Sequence, residues 1–285
     1  MYISPLKAYS VSFLNNLPCL FEYAKVVKNN HHIKRPFSPL LKKFYTFAVR
    51  NIEKMNTEKI NKPTVGEIVA NDFRTASIFK NNGIDFCCGG KQSVAEACQQ
   101  KGIDPSVLEG QIQELTSTPL NPSQNFNDWS LGFLCDYIVN THHKYVVKTL
   151  PELMFYTQKI ADVHGDHHPE LIEIASIFSQ INTELLQHLK NEEEVLFPAI
   201  KKAETDQDPE VSAIIASEIE RMSGEHDFAG GAMDNINVIS KQYLLPEDAC
   251  NTYRVAFQLL EQFEDDLHVH VHLENNILYP KALKL

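Results

Sequence analysis

The sequence predicts an all-α protein, an up-down four-helix bundle preceded by a small helical domain. Three observations carry this reading. Residues 129–283 divide into four long stretches whose apolar side chains recur at steps of three and four, the period of helices buried along one face. The breaks between them, at 164–169, 204–209 and 243–247, are short, so consecutive helices run antiparallel. Residues 63–118 carry repeated helix-start signatures.

With 285 residues and 43% apolar content the chain can bury a sizeable core. The formal net charge of −11 is unevenly spread. Residues 1–54 hold nine Lys/Arg against two Asp/Glu, and the remainder holds 17 against 35. An acidic body repels phosphates, so nucleic acid is not an expected partner. No apolar run is long enough to span a membrane. The six cysteines, none in a CxxC pair, do not read as a secreted disulfide framework, and a reducing, cytoplasmic setting is expected.

Taken in order, residues 1–62 form a poorly defined extension. Residues 1–54 carry four prolines, lack a clean signal peptide and read as a weakly structured addition before a start at Met55. The small helical domain occupies 63–118. Thr64-x-x-Glu67 is a capping box, a helix through 73–80 stops near Gly83, and Ser93-x-x-Glu96 opens a helix ending near Gly102. Asp104-Pro105 starts a further helix that runs to about Leu115. Residues 119–128, with Pro119 and Pro122, are a linker, and 129–285 is the bundle.

Each bundle helix interrupts its apolar stripe with ligand-type residues near its middle. The second reads Ile174, Ile181, Leu185, His188, Glu192 and Leu196; the fourth reads Leu260, Phe263, Leu267, His270, Glu274 and Ile277. The third centres on His226 and the first on His143. An i, i+4 His/Glu pair presents both groups to one cavity. Two buried carboxylates with four buried imidazoles are heavily destabilising unless cations compensate. Imidazole plus carboxylate suits iron, and helical bundles build two-iron sites from such residues on facing helices. The candidate ligands are therefore His143, His188, Glu192, His226, His270 and Glu274. If the glutamates bridge, each iron has two imidazoles, an oxo or hydroxo bridge adds a ligand to each, and a position stays open for O2 or NO. Zinc is the alternative metal, but six ligands with bridging-type glutamates suit two irons better than one tetrahedral zinc. His142 competes with His143 from a less apolar face. His268 and His272, two residues from His270, point away from the seam and are expected at the surface, while His164, His167 and His168 are expected solvated in a loop.

Several motifs are jointly specific: DFCCGGKQ at 85–92, LPEL at 150–153, HLKNEEEVLFP at 188–198, GEHDFAG at 224–230 and HVHLENNILYP at 270–280. Through them the chain, from about residue 64 to 283, resembles the repair-of-iron-centres family, di-iron proteins that join a short N-terminal domain to a haemerythrin-like bundle. The resemblance implies that His143, His188, His226 and His270 are terminal iron ligands and that Glu192 and Glu274 bridge. It implies repair of iron–sulfur clusters damaged by nitrosative and oxidative stress, by iron donation or by NO chemistry, with damaged iron–sulfur proteins as partners. The alternative is a module that reversibly binds or senses O2 or NO. Glu225, beside His226, is a candidate for orienting a ligand or lining an iron path, with a solvated acid the plainer reading.

Adjacent cysteines close only a strained ring, so Cys87 and Cys88 are expected as two free thiols, with Gly89 and Gly90 letting a partner's backbone approach. Helix N-termini nearby are expected to lower a thiol pKa, and the resemblance implies that the pair serves repair; two small buried apolar residues are the plainer reading. The sequence does not fix the oligomeric state: a homodimer is one option, and whether the pair meets the bundle within one chain or across two stays open. Cys19, Cys98, Cys135 and Cys250 are expected to pack as small apolar residues.

Overall fold

The computed structural model describes residues 63–120, 125–206 and 208–285, so the expectations for residues 1–62, Cys19 included, lie outside the described residues. The described part is helical and has no strand, only an isolated bridge between Thr64 and Ser93.

Four short helices come first: α1 (Val65–Asn71), α2 (Ala76–Asn81), α3 (Val94–Lys101) and α4 (Pro105–Thr116). Both expected capping boxes form, each satisfying two orphan groups at a helix start. The Thr64–Ser93 bridge, with the Val65 N–H donated to the Gln92 carbonyl at 2.9 Å, ties the two helix starts together. Gly102 ends α3 with φ 68°, a left-handed conformation that favours glycine. Asp104 caps α4, with Pro105 in its first turn.

The bundle follows. Its first helix is α5 (Leu131–Ile138) running through a π-turn (Val139–His143) into α6 (Lys144–His164). Its second is α7 (Glu170–Asn191), a π-turn (Glu192–Leu196) and α8 (Phe197–Ala203). The third, α9 (Pro209–Ile239), is unbroken. The fourth is α10 (Asn251–His272), a π-turn (Leu273–Leu278) and α11 (Tyr279–Ala282). The Glu204 carboxylate accepts from the Leu131 and Gly132 N–H groups at 2.9 and 2.8 Å, placing negative charge on the N-terminus of α5. After α9 the chain turns through Lys241, Gln242 and Tyr243, all with φ between 55° and 61°. Three successive left-handed residues without glycine cost on the order of 1–3 kcal/mol each. They drive the Tyr243 ring into the core, where it is 8% exposed.

Apolar burial divides into two clusters. One joins α1–α4 to the bundle half lined by Val146, Ile174, Met233 and Phe263. The other holds Leu134, Ile138, Leu196, Met222, Leu273 and Ile277. Between them the four bundle helices pass through one polar layer: His143 follows Ile138 and precedes Val146, and His226 stands between Met222 and Ala229. Residues 62–285 form one contact unit, and α1 packs on the π-turn of Leu273–Leu278.

Candidate metal centre

The polar layer brings all six expected ligands together. Ligand atoms of His143, Glu192, His270 and Glu274 lie within 4.8 Å of one another, and so do those of His188, Glu192, His226 and Glu274. The two sets share both glutamates. Each residue is between 0 and 2% exposed. The Nε2 atoms point inward: those of His143 and His188 each stand 3.3 Å from Glu192 Oε2, His226 Nε2 is 3.1 Å from Glu274 Oε2, and His270 Nε2 is 3.0 Å from Glu274 Oε1. The Nε2 atoms of His188 and His226 approach to 3.2 Å.

Three of the four Nδ1 atoms find partners outside the layer, and that of His270 is buried without one. That of His143 donates to Glu193 at 2.8 Å, that of His188 to Glu225 at 2.7 Å, and that of His226 to the Asn275 side-chain oxygen at 3.0 Å. Such outer partners fix the ring orientation and the tautomer that leaves Nε2 free for a cation. Glu225 thus sits where it orients the His188 ring, and Arg221 holds it in turn at 3.0 Å.

The residues fit a cation pair on a direct test. His143 Nε2, Glu192 Oε2 and Glu274 Oε2 are buried and lack a hydrogen-bond partner although ligand-type atoms crowd around them. Buried polar atoms are almost always satisfied, so atoms converging without hydrogen-bond geometry point at positive charge between them. Electrostatics agree. Burial pulls His143 and His188 down, but the carboxylates, Glu192 foremost, overcome it and hold both at about 10. Burial and Glu274 push Glu192 up, and His188 and His143 overcome them to hold it at about 2. Burial keeps His270 below its ordinary value. The glutamates are ionised and cation-seeking.

The π-turns place these ligands. His143 ends the first, Glu192 begins the second, and Glu274 lies in the third. Each adds a residue to a turn and shifts the seam, a device common at functional sites. Sequence periodicity at steps of three and four cannot register the extra residue. It also missed Tyr279, whose hydroxyl donates to Glu192 Oε1 at 2.6 Å and whose ring stacks on His226 at 5.8 Å and 1°. A polar ring within the apolar Ile277-Leu278 stripe was the available signal.

Several histidines depart from expectation. His142 is as buried as His143, yet it belongs to neither set; it donates Nδ1 to Asp266 at 2.9 Å and stacks on His270 at 5.5 Å. His272 is fully buried rather than at the surface, between Phe73 and Phe86 and hydrogen-bonded with Asn276, and burial pulls it down to about 4. His268 is half-buried against Phe86. His272 and His268 share a reason: residues of the N-terminal helical domain cover a face of α10 that the bundle alone leaves to solvent. His167 is exposed, but His164 meets the Cys250 sulfur at 3.2 Å and His168 bridges Glu170 and Asp248. Cys98 and Cys135 are buried apolar residues, whereas Cys250 is exposed and caps α10, and the Tyr253 N–H and His164 lower its thiol to about 7.

Cys87 and Cys88 are free thiols 3.9 Å apart. The Asp85 carboxylate accepts the N–H groups of Cys87, Cys88 and Gly89 at 2.8, 3.1 and 2.6 Å, and so shapes the loop. Contrary to the expected activation, the neighbouring Cys88, burial and Asp85 push the Cys87 thiol well above its ordinary value. Cys88 meets the bundle within the chain: its sulfur lies 3.5 Å from the His226 carbonyl oxygen, and a Cβ on Gly230 would stand 2.9 Å from it.

Two family descriptions match the chain. Residues 61–116 match ScdA_N, described as a domain of unknown function (DUF542), and residues 136–282 match the hemerythrin HHE cation binding domain. The iron-sulfur cluster repair protein ScdA of Staphylococcus epidermidis is 32% identical over 219 residues, which covers 76% of this chain and 96% of the relative. The iron-sulfur cluster repair protein YtfE of Yersinia pseudotuberculosis is 34% identical over 211 residues, covering 74% and 92%, and that of Yersinia pestis aligns to the same extent.

Proposed function

The chain belongs to the iron–sulfur cluster repair proteins that join an ScdA_N domain to a haemerythrin-type cation-binding domain, and we propose that it holds two non-haem irons and uses them to repair iron–sulfur clusters damaged by nitrosative and oxidative stress. One observation carries the reading: two four-residue ligand sets, buried and adjacent, that share Glu192 and Glu274. One set would hold one iron through His143 and His270, the other a second through His188 and His226, with both glutamates and an oxo or hydroxo group bridging. When bound, the irons supply exchangeable metal and a redox-active site for a small ligand such as NO or O2.

The chain's own residues supply the rest. Glu193, Glu225 and Asn275 orient the imidazoles. The two apolar clusters exclude water from either side of the layer. Tyr279 positions Glu192. Cys88 touches the carbonyl of a ligand residue, which supports a role for the thiol domain in delivery or reduction next to the centre. We assign residues 63–118 as that domain, 119–128 as the linker and 129–285 as the iron-bearing bundle, acting on damaged iron–sulfur proteins in a reducing cytoplasm.

The test is metal content per chain with absorption and Mössbauer spectra on protein from iron-replete cells. The expected result is about two irons in an oxo-bridged pair, lost on His188→Ala or Glu274→Ala. A single zinc that survives both substitutions would sink the reading.

A further inference from the structure

A third set of ligand-type atoms lies outside the two already described. Asp234 on α9 and Glu264 and His268 on α10 each bring one such atom within 4.8 Å of the others. Glu264 and His268 stand at i, i+4, so one helix presents both to the same space. Asp234 lies eight residues beyond His226, about 12 Å along the helix axis. Gly230, halfway between them, is where Cys88 rests on α9. The 85–88 loop overhangs the cluster: Phe86 meets the His268 ring at 6.1 Å, and the Asp85 charge is felt at Asp234.

A second observation points to a ligand. Tyr243, 8% exposed, aims its hydroxyl at Glu264 and Asn237, and that buried oxygen has no hydrogen bond of normal geometry. Glu264 is itself 6% exposed, with an amide donor from Asn237 at 3.0 Å. Burial raises the carboxyls of both Glu264 and Asp234, and Asp85 adds to the crowding at Asp234. A divalent cation relieves both carboxylates at once.

We propose that Asp234, Glu264 and His268 form a third metal position that takes a first-row divalent cation such as Fe²⁺, with the Tyr243 hydroxyl beside it. One imidazole with two carboxylates is a borderline-to-hard donor set, suited to Fe²⁺, Mn²⁺ or Zn²⁺ rather than to thiolate-seeking ions. Asp234 is exposed, so the cation exchanges with solvent far more readily than one in the buried layer. The position lies on the α9 face that runs from His226 past Cys88, which makes it a staging post between the thiols and the buried pair. That use rests on the repair reading; the existence of a cation site does not.

The experiment titrates iron-loaded protein with Co²⁺, counting both metals and following the visible cobalt bands. The expected result is one further equivalent of Co²⁺ with iron retained. His268→Gln and Asp234→Asn, both outside the two buried ligand sets, keep their iron and weaken Co²⁺ binding by at least the roughly 10–100-fold that even an outer-shell partner is worth. Absence of a further equivalent, or one that neither substitution weakens, overturns the proposal. Should the parent protein hold no iron pair while His268→Gln still abolishes the cobalt bands, the third position stands and the repair reading falls.

Discussion

The two shared glutamates are not equivalent, and a single hydroxyl makes the difference. Glu274 turns Oε1 toward His270 and Oε2 toward His226, one oxygen to each ligand set. Glu192 offers Oε2 to both His143 and His188, because its Oε1 is engaged by Tyr279. Burial and the Glu192 charge hold the Tyr279 phenol well above its ordinary value, so it is a permanent donor. Tyr279→Phe removes that donor and leaves a carboxylate oxygen unpaired in a fully buried site. A hydrogen bond to a charged group is worth about 1.5–3 kcal/mol, and the metal-free variant is expected to lose that much stability in denaturant unfolding. Because Tyr279 lies outside both ligand sets, the metal content should match that of the parent protein. The freed Oε1 should change the Mössbauer spectrum of the pair. An unchanged spectrum would show that Tyr279 does not set which Glu192 oxygen faces the site.

At the level of elements, the junction between α1–α4 and the bundle depends on close approach. Gly66 on α1 and Gly90 face Asn276, whose amide nitrogen reaches the Phe86 carbonyl at 3.0 Å and His272 Nδ1 at 3.0 Å. A Cβ on Gly66 would stand 2.1 Å from Asn276 Oδ1 and 3.1 Å from the Gly90 carbonyl oxygen. Gly66→Ala must therefore displace the Asn276 side chain, and overpacking of this kind costs about 1–3 kcal/mol. Gly110, exposed in α4 with nothing within 4 Å of its virtual Cβ, is the contrast. There Gly→Ala should stabilise by about 0.5–1 kcal/mol. Thermal melts of the two variants should move in opposite directions, and hydrogen exchange at Cys87 and Cys88 should speed up only in the first. The helices, their caps and the six inward residues were legible because each depends on local chemistry or on the 3.6-residue period. The junction is not: nothing in a period tells which outer face a second set of helices covers, so the sequence places His272 and His268 at the surface although Phe73 and Phe86 pack on them. The π-turns were hidden for a related reason, since one added residue per helix shifts the register within the error of a stripe.

For the whole molecule, the decisive feature is a charged layer sealed between two apolar clusters, and iron removal probes it directly. Without cations the layer holds itself together by imidazolium–carboxylate pairs: His143 and His188 are held at about 10 against an ordinary 6.5, and Glu192 at about 2 against 4.5. The raised histidines contribute stability that is complete below pH 6.5 and is lost as pH climbs toward 10. The lowered glutamate contributes stability that is complete above pH 4.5 and is lost as pH falls toward 2. These are the same pairs seen from either side, so their contribution is greatest between pH 4.5 and 6.5. Iron requires neutral imidazoles, so its binding releases those protons and strengthens as pH rises. A ligand that binds only the folded state stabilises it in proportion to its affinity. The two trends run in opposite directions. The gap in melting temperature between iron-loaded and chelator-stripped protein should be small at pH 5.5 and widen steadily through pH 7 to 8.5, as calorimetry on both forms would measure. A gap that stays constant or narrows across that range would mean that protons and metal do not compete for these histidines, and the inward Nε2 atoms would then need another explanation.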